Sequence, residues 1–122
     1  MQDKLKLLLD KFDKCKVECD GFVRIASYEL VKAKIDHRVL VGYAFVSNDG
    51  DDDLVNPHFW IELEDEDGLT LTIDYRLRMW VGDHAPHGVF YNEDEYPSVD
   101  YRQVNQLELK TDPGVIDILV GL

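Results

Sequence analysis

Apolar residues recur every three or four positions over residues 3–14, where Leu5, Leu8, Leu9 and Phe12 are separated by Lys and Asp. That spacing predicts an amphipathic helix with one buried stripe. A second helical pattern runs from Asp20 to Lys34, with Val23, Ala26, Leu30 and Ala33 on one face and Phe22 and Ile25 widening it. The period then shortens. Arg38–Ser47, Pro57–Leu63 and Leu69–Tyr75 are rich in β-branched and aromatic residues and predict three strands. Asn48–Asp53 is a polar loop between the first two, and Glu64-Asp65-Glu66-Asp67-Gly68 is a hairpin turn signal that pairs the last two antiparallel.

Alternation along the second strand places His58, Trp60 and Glu62 on one face and Phe59, Ile61 and Leu63 on the other. On the third strand Thr70, Thr72 and Asp74 oppose Leu71 and Ile73. Residues 76–101, broken by Gly82, Pro86, Gly88 and Pro97, predict a long loop or lid. Gln106–Lys110 alternates like a strand, and Asp112-Pro113 is a helix cap with proline at the first helical position. The pattern as a whole predicts an α+β fold with N-terminal helices packed on an antiparallel sheet. The 122 residues suit a single domain, 1–122.

Charge narrows the partners. Thirteen Lys plus Arg against 25 Asp plus Glu give a net charge of −12, which repels nucleic-acid backbones and anionic membranes and favours a basic protein or peptide by complementarity. Two cysteines four apart, Cys15 and Cys19, do not resemble the framework of a disulfide-stapled secreted scaffold. The apolar run Leu7–Leu9 is too short for a signal peptide or a membrane span, so the expectation is a cytoplasmic protein with reduced thiols.

The predicted elements bring together one chemically suggestive set. Cys19 lies at a helix N-terminus, where unpaired N–H groups and the helix dipole favour a thiolate. His58 and Asp74 lie on neighbouring strands and face the same way, as a base and its orienting carboxylate must. The plain alternatives are a small buried thiol, a strand histidine and a strand-end cap. His84 and His87, with Cys15 and Cys19, have poor spacing for tetrahedral zinc, and Asp49–Asp53 lacks the bidentate glutamate of an EF-hand. No metal or other cofactor is therefore expected, and Cys15 reads as a packing residue.

The same residues resemble the transglutaminase-like branch of the papain-like cysteine enzymes over about Cys19 to Tyr75. Cys19-Asp20-Gly21-Phe22-Val23 is similar to that family's Cys-x-Asp-Phe-Ala-like helix start, with Gly21 and Val23 departing from it. Ile35-Asp36-His37-Arg38-Val39-Leu40-Val41-Gly42-Tyr43 is similar to its Gly-Ile-Pro-Ala-Arg-x-Val-x-Gly-Tyr-like turn and strand, with Asp36 in place of proline. His58-Phe59-Trp60-Ile61-Glu62 matches its His-Ala-Trp-x-Glu strand, and Asp74 matches the Asp on the next strand.

The resemblance implies a papain-like core with a Cys19-His58-Asp74 triad acting on peptide or glutamine amide bonds. It also implies that Trp60 walls the site beside the histidine, and Trp60, Tyr43 and Trp80 are the expected substrate contacts. So short a chain favours hydrolysis over acyl transfer. No Trp or Gln immediately precedes Cys19, so no side chain is assigned beside the nucleophile's own N–H as an oxyanion donor. A second expectation is a non-enzymatic acidic binding module or inhibitor that uses the groove or the aromatic stretch Trp80, Phe90, Tyr91 and Tyr96.

Overall fold

The computed structural model describes residues 1–122. Helix α1 (Gln2–Leu9) tightens into a 3-10 turn over Asp10–Phe12 and leads through an irregular stretch into α2 (Cys19–Lys32). Strand β1 (Arg38–Val46), the long β2 (Asp53–Glu64) and β3 (Thr70–Asp74) follow. A short helix α3 (Arg78–Val81), a three-residue strand β4 (Gly88–Phe90) and a helical turn α4 (Asn92–Glu95) lead to β5 (Val99–Leu107) and α5 (Pro113–Gly121). Asp112 caps α5 by accepting from Gly114 N–H at 2.7 Å, with Pro113 at its start. No helix is long and apolar enough to cross a membrane.

The five strands form one antiparallel sheet in the order β4-β3-β2-β1-β5. An α+β fold with helices on an antiparallel sheet is therefore what the chain adopts. Leu5 and Leu9 of α1 and Phe22, Val23, Ile25, Ala26 and Leu30 of α2 pack on Val39, Ile61, Leu63, Leu71 and Ile73, the inward residues of β1, β2 and β3. Burying such aliphatic side chains stabilises the fold by roughly 1.5–3 kcal/mol each.

The stretch 76–101 corrects the expectation of a long loop or lid. It contains α3, β4, α4 and the start of β5, and it covers the second face of the sheet. Phe90 is buried against Tyr96, with ring centroids 5.0 Å apart, and Ala44, Val46, Leu77, Ala85 and Val99 form a smaller core there. Strand β5 also begins seven residues before Gln106. Most of its side chains are exposed, so it is held by backbone pairing to β1 rather than by a buried face. The sheet is thus buried on both sides at its centre, where polar groups need partners.

Candidate active site

The path into Cys19 is fixed by one arginine. Arg76, just past β3, is almost fully buried and donates from Nε to Val17 O (2.7 Å), from Nη1 to Tyr75 O (2.8 Å), and from Nη2 to Cys15 O (2.9 Å) and Asp13 O (3.1 Å). Nη1 also meets Asp13 Oδ1 at 2.9 Å, and the guanidinium lies 4.6 Å over the Phe22 ring. These bonds satisfy carbonyls of the irregular stretch before α2 and set where the helix starts. Glu18 is its N-cap residue and makes no side-chain capping bond, so the N–H groups of the first turn, including that of Cys19, have no protein acceptor.

His58 is brought in by β2 and Asp74 by the last position of β3. Their contact is a 2.7 Å bond from His58 Nε2 to Asp74 Oδ2, with both side chains shielded from solvent. Asp74 Oδ1 accepts from the N–H groups of Arg76 and Leu77 at 3.0 and 3.2 Å, so the carboxylate cannot rotate away. Burial opposes a charge on the imidazole. The Asp74 charge and hydrogen bond, reinforced by Cys19, outweigh it and lift the His58 pKa from 6.5 to about 10. Since Asp74 takes Nε2, the buried and otherwise unpartnered Nδ1 is the nitrogen left for the thiol.

Cys19, 8 % exposed, lines a cleft of about 510 Å³. Its other walls include Glu18, Asp20 and Asp53 together with Leu54, Pro57, Phe59 and Trp80. His58 thus has Asp74 bonded to Nε2 and Cys19 as a further polar neighbour, and Cys19 lines the cleft.

The expected substrate contacts divide. Trp80 lines the cleft and is 55 % exposed. Trp60 is fully buried and offers a substrate no surface. Its ring stacks beside His58 at 6.1 Å, and its Nε1 donates to Glu62 at 2.9 Å, so it packs the imidazole in place. Tyr43 is half-buried opposite Arg102 of β5 and does not line the cleft. Burial of Phe90 and partial burial of Tyr91 and Tyr96 leave Trp80 as the exposed aromatic of that stretch.

His87 bonds Asp13 at 2.8 Å and His84 lies 4.0 Å from Asp53. No three His, Cys, Asp or Glu side chains converge as a metal-binding group.

Tyr101 belongs to the same site, although no motif marks it. It is half-buried on β5, packs its ring 5.0 Å from Trp60 and donates its hydroxyl to Asp74 Oδ2 at 2.8 Å. Its position two residues after buried Val99, on the same side of an alternating segment, is the signal that could have found it. No family model, curated protein or solved structure matches the chain.

Proposed function

We propose that this chain is a papain-like, transglutaminase-like thiol enzyme that cleaves peptide or glutamine side-chain amides, with hydrolysis favoured over acyl transfer. The observation that carries the reading is the buried His58–Asp74 bond with Cys19 as the imidazole's other polar neighbour. An imidazolium beside a thiol favours attack as the thiolate. Cys19 Sγ adds to the carbonyl carbon, and its backbone N–H, free at the helix start, donates to the developing oxyanion.

Collapse of the adduct breaks the C–N bond, and His58 gives its proton to the leaving amine. The thioester that remains carries no charge on sulfur, so the contribution of Cys19 to holding His58 protonated disappears. The neutral imidazole then takes a proton from water as the water oxygen attacks, and breakage of the C–S bond releases the acid and restores the Cys19 thiolate beside the His58 imidazolium.

The test is the pH profile of iodoacetamide labelling at Cys19 and Cys15, mapped by peptide mass, in the wild type and in His58→Ala. Cys19 is expected to label faster than Cys15 at neutral pH, well below the ordinary thiol pKa of about 8.5, and to lose that advantage in the variant. Slow labelling of both cysteines, unchanged by the substitution, would overturn the reading in favour of an inactive binding module.

A further inference from the structure

We propose that the cleft beside Cys19 is a subsite for a basic side chain, arginine ahead of lysine, in the polypeptide whose amide is attacked. The inference rests on the thiol-enzyme reading and names its substrate class. The net charge of −12 makes a basic partner generally favourable, but it does not say where a cation would sit. The cleft does. Its walls carry Glu18, Asp20 and Asp53 and no lysine, arginine or histidine. Glu18 and Asp20 form no ion pair with any cation of the chain, and Asp53 has only His84 at 4.0 Å.

The other walls are apolar, with Trp80 and Leu54 each more than half exposed. A long side chain with a hydrocarbon stem and a cationic head fits both kinds of wall, with its stem on Leu54 and its head between carboxylates and an indole face. A guanidinium suits this better than an ammonium. It is planar, can stack on Trp80 and can fork between two carboxylates.

Two further observations give the cleft its direction. Cys19, a polar neighbour of the fully buried His58, is itself a wall of this cleft, so a side chain held there brings its own backbone carbonyl near the sulfur. A second hollow of about 600 Å³ shares Glu18 with the first, and its lining sets Lys16, Arg76 and Arg78 against Asp13 and Glu18. Of the two, only the first hollow has carboxylates without a basic residue among its walls, so a cationic side chain is drawn to it in preference.

The test uses three blocked tripeptides, acetyl-Gly-Arg-Gly-amide and its Gln and Glu counterparts, titrated into the full chain carrying Cys19→Ser. Binding is read by tryptophan fluorescence, with Trp80→Phe as the control that assigns the signal. The Arg peptide is expected to bind roughly tenfold more tightly than the Gln peptide and to weaken with salt. The pair Asp20→Asn and Asp53→Asn, both at the surface, is expected to cost roughly fivefold to tenfold, and Trp80→Ala roughly twofold to fivefold by competition against the Gln peptide.

Equal binding of the three peptides, or none by any of them, would overturn the subsite. Arginine-selective binding to a chain whose Cys19 proves unreactive would support the subsite and remove the enzyme reading. Cleavage of Gln and Arg peptides at equal rates would do the reverse.

Discussion

The Tyr101 hydroxyl and the His58 imidazole donate to the same oxygen of Asp74, at 2.8 and 2.7 Å. Tyr101 is a dependable donor there. Burial first, and then the Asp74 charge and hydrogen bond, push its own pKa far above the ordinary phenol value, so it stays protonated at working pH. A carboxylate that spends part of its charge on a phenol holds an imidazolium less tightly than one that does not. Tyr101→Phe is therefore expected to raise the pH at which His58 deprotonates and to cost about 1–2 kcal/mol in stability. NMR titration of the His58 ring checks the first effect, and an unchanged titration would reduce Tyr101 to a packing residue.

The same pair makes stability depend on pH in a stated direction. Folding raises the His58 pKa from 6.5 to about 10, so its stabilisation is complete below pH 6.5 and is lost as pH rises through 10. Urea denaturation of wild type and His58→Gln should show their difference shrinking by a few kcal/mol between about pH 7 and pH 10. A difference that is constant across that window would mean the imidazole is neutral in the folded state.

Much of this was readable from residue order. Helix α2 and the β2–β3 hairpin have strong periods because each buries one face, and those periods put Cys19, His58 and Asp74 within reach of one another. The failures have physical causes. Strand β4 is only three residues long, and the side chains in the middle of β5 are exposed without alternation, so the pattern marks only the ends of β5. Trp60 and Tyr43 carried the right residue types for substrate contact, but the element at 76–101 covers the sheet face that holds Trp60. Arg76 is a charged residue in a buried place, which hydrophobic patterning cannot foresee.

Gly42 is expected to be intolerant of substitution, although its backbone is ordinary. A Cβ there would lie 1.9 Å from the carbonyl oxygen of Arg102, the neighbour of Tyr101 on β5. The clash is with backbone, so the strand itself must move. Gly42→Ala should destabilise by about 1–3 kcal/mol and displace Tyr101 from Asp74. Combining it with Tyr101→Phe should then add less to the His58 titration shift than either change alone predicts. Full additivity in the double variant would show that the two positions act independently.

Arg76→Lys should behave as a disruptive change despite keeping the charge. The guanidinium reaches carbonyls of Asp13, Cys15, Val17 and Tyr75 and the Asp13 carboxylate at once. An ammonium has three donors on a single centre and cannot span that set, so buried carbonyls lose partners. The expected cost is about 3 kcal/mol or more in urea denaturation. The damage should be local as well as global, because these carbonyls belong to the segment that delivers Cys19 to His58. Hydrogen exchange should speed up at residues 13–22 before it does in β1 and β2, and Cys19 should lose part of its labelling advantage over Cys15 while the fold persists. Uniform exchange with normal Cys19 labelling would show that α2 holds its start without the arginine.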